Sequence, residues 1–526
     1  MVLRFTDATY DDLKKAGTPA TSGCDGGLLR DSQNATRHDR MLKFNLEARL
    51  LEDVLGSEPG GFFVAFVRGK KYNGKELFFI DPHGAPMVSP EEVELMTYDE
   101  NKFGLWASFH LANETAAQHR GTISITHQQL ETTIEKNAGL RGKATTSFRA
   151  IGDGVRVVPF DLFRTLRVQS VTGDSGQALA FIQEDKNDDA DFSVILPKTL
   201  SRDEKYTITT VYGGKDAVMN TGGGNYLPIA REDWYPNSAH FALGEYATYD
   251  MTFRIPKNMK IAATGDLISE KDEGGEAVSV WKSGPQPVAG FNFGRFKLQE
   301  ARLTKPEYLV QSFANEEPPD AIRSLLHAVD SELPAQGSQR ALGNQAQVAL
   351  GTMSTLPLIK KALAEGQLSV QLYTDYFGPS AYKRLAITQQ TDCRYGQSWP
   401  ELVWIPMCYF YDNTIRHQLG MDWGDRGYWK SVTSHEVAHQ WWGHTVGFNS
   451  YRDQWMSEGF AEFSASLYLQ MMEKNPKKFL DFWNDQRELL LERDKEGWRA
   501  IDAGPVTMGY RMSNTRTGES VWFRTR

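Results

Sequence analysis

The chain has 526 residues, 40% hydrophobic and 24% charged, a globular balance that excludes a wholly disordered, collagen-like or fibrous protein. At about 150 residues per domain this length predicts three or four domains. The 58 basic and 67 acidic side chains leave a formal charge of -9, which favours neither nucleic acid nor an anionic membrane as a partner, and no apolar run approaches the roughly 18 residues of a bilayer span.

Residues 1–40 mix Asp, Gly, Ser, Thr and Asn with little periodicity and read as a mobile arm. Asp7, Asp11 and Asp12 stand where a secretory signal needs an apolar stretch, so no signal peptide is expected in the chain as written, and export requires a start further upstream. Apolar residues at 42, 46, 50 and 54 predict a short helix over 42–55, closed by Gly56. The runs 62–67 and 77–80 flank Tyr72-Asn73-Gly74, and Asn-Gly between apolar runs predicts a hairpin. Together these make a small N-terminal α/β module over 41–115.

Over 116–315, short β-branched and aromatic runs alternate with turn residues and predict a β-rich domain, with 314–320 as its exit linker. From 320 the character changes to helix, with apolar residues at 356, 358, 359, 363 and 367–371, followed by a strand around 402–411. The cysteines, Cys24, Cys393 and Cys408, are too few for a disulfide framework, and Cys393 and Cys408 are expected as buried thiols. Any metal must therefore be held by His and carboxylates.

Such a set is present. His435-Glu436-Val437-Ala438-His439 lies in a stretch free of Pro and Gly until Gly443, so a helix carries His435 and His439 one turn apart on one face. Glu436 sits about 100° round that helix, beside a metal rather than beneath it, where a base for water belongs. A catalytic zinc needs a third protein ligand, and Glu458 follows His439 after the eighteen residues 440–457, with Ser457 as a candidate helix cap. Glu462, four residues on, is either an orienting carboxylate behind a ligand or a solvated helix side chain.

The segments HEVAHQWWGHTVG and WMSEGFAEF resemble the gluzincin aminopeptidases of the aminopeptidase N and leukotriene hydrolase type, and the Trp234-Tyr235-Pro236 and Ala247–Lys257 region is similar to their β-saddle domain. The resemblance implies a multidomain α+β fold, a β-rich saddle domain followed by a mainly helical thermolysin-like zinc metallopeptidase domain over 320–526. It makes His435, His439 and Glu458 the ligands of one Zn2+ and Glu436 the general base, acting on a peptide substrate whose N-terminal residues are released. Neither nucleic acid nor an integral membrane segment is implied.

Two departures qualify that expectation. The family's G-x-M-E-N stretch, whose Glu binds the substrate's free α-amino group, aligns with Gly396-Gln397-Ser398-Trp399-Pro400-Glu401, so Trp399 occupies the Glu position and Glu401 stands in only if both share one face of a strand. An endopeptidase is the alternative within the family. The family's oxyanion Tyr, about sixty residues after the third ligand, has no counterpart in the 68 residues past Glu458, where Tyr510 is the last Tyr in an unlike context. The resemblance thus implies a truncated or frameshifted product, with a catalytically impaired peptide-binding or scaffold fragment as the reading from another class.

Overall fold

The structure, a computed structural model, describes the chain except residues 24, 38–44, 58–59, 70–73, 83–90, 99–103, 111–121, 187–190, 230–232, 239–245, 318–354, 391–395, 412–427, 449–452, 473, 494–496, 498, 504 and 508–526. At its N-terminal end, β1 (Val2–Phe5), β2 (Phe63–Arg68), β3 (Lys75–Ile80), β4 (Val93–Tyr98) and β5 (Gly104–Phe109) form an antiparallel sheet in that order. The expected hairpin is β2 and β3, in register from Phe63 with Ile80 to Arg68 with Lys75. Its Tyr72-Asn73 lies outside the described residues.

Helices α1 (Thr9–Ala16), α2 (Gly26–Arg37) and α3 (Leu46–Leu55) accompany this sheet. The α3 helix starts after Asn45, whose side chain accepts the Ala48 N–H as an N-cap, and its Leu46 and Leu50 join Phe62, Val64, Phe66 and Leu77 in a small core. Residues 1–40 are not simply an arm, because Val2–Phe5 pairs with β2 along its whole length. Four residues are too few for strand periodicity to stand out in the sequence.

The β-rich region comprises β6 (Ile123–Ile134), β7 (Leu140–Ala150), β8 (Val155–Asp161), β9 (Arg167–Thr172), β10 (Ala180–Ile182), β11 (Phe192–Leu200), β12 (Lys205–Gly214), β13 (Val218–Asn220), β14 (Asn225–Pro228), β15 (Asn237–Ser238), β16 (Ala247–Pro256), β17 (Lys260–Ala263), β18 (Asp266–Glu273), β19 (Glu276–Gln286) and β20 (Phe291–Gly294). They build a seven-stranded sheet, β18-β19-β16-β6-β7-β12-β9, and two four-stranded sheets, β10-β11-β8-β15 and β13-β14-β20-β17. Residues alternate buried and accessible along β7 and β16, so one face of the large sheet meets the core and the other meets water.

The fifth sheet lies beside the helices. It is formed by β21 (Phe296–Thr304), β22 (Glu307–Asn315), β23 (Arg384–Gln390), β24 (Gln397–Trp399) and β25 (Leu402–Pro406), in the order β21-β22-β23-β25-β24, with β22, β23 and β25 mutually parallel. Strands over 296–315, expected in the β-rich domain, thus pair with the sheet of the helical domain, and residues 314–315 are still strand rather than linker. Local composition identifies a strand, but its sheet is decided by the crossover that follows: α4 (Ile359–Phe377) carries the chain from β22 to the parallel β23. The α4 helix packs closely because a Cβ on its Gly366 would meet Ile387 of β23.

After β25 come α5 (Tyr428–Ala438), α6 (Gln454–Met472) and α7 (Pro476–Leu491). The 402–411 strand is shorter than expected, since Met407–Phe410 turns into a 3-10 helix. Cys408 is not a free thiol: it is disulfide-bonded, a pairing set in space that spacing along the chain does not reveal, while Cys393 lies outside the described residues. Among the described residues no helix is long and apolar enough to cross a membrane. The fold is a β-rich part followed by a helical part.

Candidate metal centre

The α5 helix is buried along 431–438, so its polar side chains must be spent on partners inside the protein. It stops at Ala438, where Trp441 and Trp442 both donate their N–H to the Ala438 carbonyl in a tight turn, and His439 is the first residue beyond it. One helical turn still separates His439 from His435. Their Nε2 atoms lie 3.2 Å apart, and Glu458 Oε2 of α6 is 3.4 Å from His435 Nε2 and 3.7 Å from His439 Nε2. Four ligands around zinc at about 2.0–2.2 Å in a tetrahedron stand about 3.3–3.6 Å from one another. The three donors therefore fit a zinc ion, and they are the one such group among the described residues.

Each imidazole is held from behind. His435 Nδ1 faces Glu462 Oε2 at 2.7 Å, and the other Glu462 oxygen accepts a hydrogen bond from Gln486 of α7 at 2.7 Å. His439 Nδ1 is 2.9 Å from the Trp442 carbonyl, so it carries the proton and leaves Nε2 as a lone-pair donor. Glu436 stands outside the donor group and is 5% exposed, with its carboxylate against Gly396, where a Cβ would collide with Oε1.

Ser457 is not a cap. The α6 helix begins at Gln454, and Ser457 lies in its first turns with its hydroxyl on the Trp442 carbonyl. Trp399 and Glu401 do not line one strand face either. Trp399 pairs with Leu402, leaving Pro400-Glu401 as a two-residue turn in which Glu401 has φ 62°. The Trp399 ring packs against Gly290 and lies 5.0 Å from Trp404. Glu401 is 5% exposed, its carboxylate accepts hydrogen bonds from Gly265 N–H at 2.5 Å and Gln286 at 3.4 Å, and burial raises its pKa. The structure thus gathers His435, Glu436, His439, Glu458 and Glu462, and sets Trp399 and Glu401 in the seam with the β-rich part.

Gln440 went unnoticed in the sequence. It is fully buried: its Oε1 accepts the Glu401 N–H at 2.8 Å, and its Nε2 donates to Ser398 Oγ at 2.9 Å and the Trp399 carbonyl at 3.0 Å. The end of the histidine helix is thereby tied to β24. Position alone, immediately after His439, was the available signal.

His444 packs behind the site, its ring 6.4 Å from that of His439 and its carbonyl accepting from Tyr246 and Tyr382. Burial, aided by His439, pushes its pKa down to about 3. Between that value and the unfolded 6.5 only the unfolded chain takes up this proton, so the contribution is fully present above pH 6.5 and is lost as pH falls towards 3. For metal-free protein, His444→Gln is expected to flatten the fall of unfolding free energy across this window by up to about 1.4 kcal/mol per pH unit. Denaturant titrations at pH 4 to 7 measure it, and equal slopes in both proteins would refute it.

Comparison with known proteins falls on the same segment. Residues 420–501 match the Peptidase family M1 domain. A stretch of 62 residues is 39% identical to mouse (Mus musculus) glutamyl aminopeptidase, covering 12% of this chain and only 6% of that protein's length. An M1 zinc metallopeptidase from Deinococcus radiodurans superposes with a TM-score of 0.50 at 17% identity, over 72% of this chain and 78% of that one. A mutant of a Deinococcus radiodurans M1 zinc metallopeptidase superposes at 0.51 and 16% identity, over 78% and 89%. A mutant bound to a Tyr-Ser-Ala substrate superposes at 0.50 and 17%, over 71% and 76%. At these identities the superpositions establish the fold, and the domain match supports the gluzincin aminopeptidase family to which the motifs point.

Proposed function

We propose that this chain, which carries a Peptidase family M1 domain over its metal-binding segment, is a zinc-dependent metallopeptidase whose ligands are His435, His439 and Glu458 and whose general base is Glu436. The donor triangle with a buried carboxylate beside it is the observation that carries this reading. Zinc, when bound, would supply Lewis-acid polarisation of the scissile carbonyl and ready deprotonation of water near neutral pH. Glu436 takes the proton from the attacking water and delivers it to the leaving amine nitrogen, while Glu462 and the Trp442 carbonyl keep the imidazoles in their tautomers.

Release of N-terminal residues is the specificity supported by the motif resemblance and by the local identity to an aminopeptidase. One observation favours a second reading, cleavage that needs no free amino terminus: Glu401 is committed to Gly265 and Gln286, and Trp399 to the core. Zinc-loaded protein is therefore tested on matched peptides with free and acetylated N-termini. Absence of turnover on every peptide, with binding retained, would replace the peptidase by the scaffold reading. Glu401→Gln is expected to change KM for free and blocked peptides alike, by less than about threefold, because it keeps the shape of a side chain that holds the seam. A rise in KM confined to free peptides would instead make Glu401 the amino-group anchor.

A further inference from the structure

We infer that Ser457 is a positioning residue for the zinc ligand His439, clasping the turn that carries this histidine to the helix that carries Glu458. The inference rests on the metallopeptidase reading and concerns how its metal site is held in shape. Ser457 Oγ donates to the Trp442 carbonyl at 3.0 Å and lies 3.2 Å from His439 Nδ1. The same carbonyl accepts from His439 Nδ1 at 2.9 Å. One carbonyl oxygen with two lone pairs thus receives both donors, and the imidazole proton is shared with the hydroxyl oxygen.

A serine inside a helix ordinarily bonds back to a carbonyl of its own helix. In α6, Ser464 does so to Phe460 at 2.7 Å and Ser466 to Phe463 at 2.6 Å. The Ser457 hydroxyl instead goes to a different element. Trp442 is gripped at its other end as well, its indole N–H donating to Ser464 at 3.0 Å. Room for the approach comes from Gly443, which has φ 114° and where a Cβ would stand 2.5 Å from Ser457 Oγ. The turn after His439 is therefore fastened to α6 at two points about two turns apart, and Ser457 is the point that touches the ligand.

The test compares full-length wild type, Ser457→Ala and Ser457→Thr by chelator-competition titration of zinc, by the visible spectrum of the cobalt-substituted site and by thermal unfolding of the metal-free protein. Loss of an orienting partner behind a metal ligand costs about 10- to 100-fold in affinity. Ser457→Ala is expected to lose zinc affinity in that range and to alter the cobalt spectrum, with Ser457→Thr, which keeps the hydroxyl, restoring both. Affinity within about twofold of wild type in Ser457→Ala, or an equal loss in Ser457→Thr, would overturn the inference while leaving the metallopeptidase reading intact. No zinc binding by wild type would overturn both. If Ser457→Ala does not fold, the wild-type Ser457 hydroxyl decides: a slowly exchanging hydroxyl proton supports the clasp and a rapidly exchanging one refutes it.

Discussion

Replacing Glu436 by Gln is expected to lower kcat for peptide hydrolysis by about 10²- to 10⁴-fold while zinc stoichiometry stays at one per chain. The separation follows from the geometry. His435, His439 and Glu458 meet one another without Glu436, so the metal site loses no donor. Gln fills the same volume against Gly396, so the local packing is retained. What disappears is the group that can accept a proton from water and return it to a departing amine; an amide does neither at neutral pH. Zinc analysis and steady-state kinetics on one preparation check both halves. Turnover within tenfold of wild type would move the base elsewhere, and loss of zinc would make Glu436 part of the binding site.

The clustering of His435, His439 and Glu458 was legible in the sequence because it is written in short-range order. Two histidines four apart need only one helical turn of spacing to converge, and α5 supplies it although it stops at Ala438, well before Gly443. Glu458 and Glu462, also four apart, repeat the device on α6, so that one meets the metal site and the other stands behind His435. Partners from distant segments were not legible. The Trp442 carbonyl serving both His439 and Ser457, or Gln486 orienting Glu462, depends on the path of a turn and on the docking of α7. The same limit explains the strands. That β22 belongs beside β23 follows from a crossover through α4, and that Val2–Phe5 extends a sheet follows from contact with residues some sixty positions away. Glu401 fails for a more local reason: Pro400 leaves the strand for a turn, and a residue with φ 62° no longer follows the period-2 rule that set it beside Trp399.

Gly396→Ala is expected to reduce kcat by about 10²-fold with zinc affinity unchanged, although the added group is a single methyl. A Cβ at 396 would collide with Oε1 of Glu436 and stand 2.6 Å from its Cδ and 2.7 Å from its Cγ. Real Cβ atoms do not tolerate such approaches, so either β24 or the carboxylate must give way. Strand β24 is poorly free to move: Gln440, fully buried at the end of the histidine helix, holds Ser398 Oγ and the Trp399 carbonyl, and the Trp399 ring is packed against Gly290. The Glu436 side chain has three rotatable bonds, whereas β24 is held through both main-chain and side-chain groups, so the carboxylate is the partner expected to shift. A proton acceptor displaced by about 1 Å from the water it must serve forfeits the alignment on which general-base catalysis depends. The donor triangle takes no atom from Glu436 or Gly396 and keeps its spacing. Kinetics and chelator-competition titration on Gly396→Ala distinguish the outcomes: wild-type turnover would mean that the strand yields, and a parallel loss of zinc would mean that the disturbance reaches His435 through the helix.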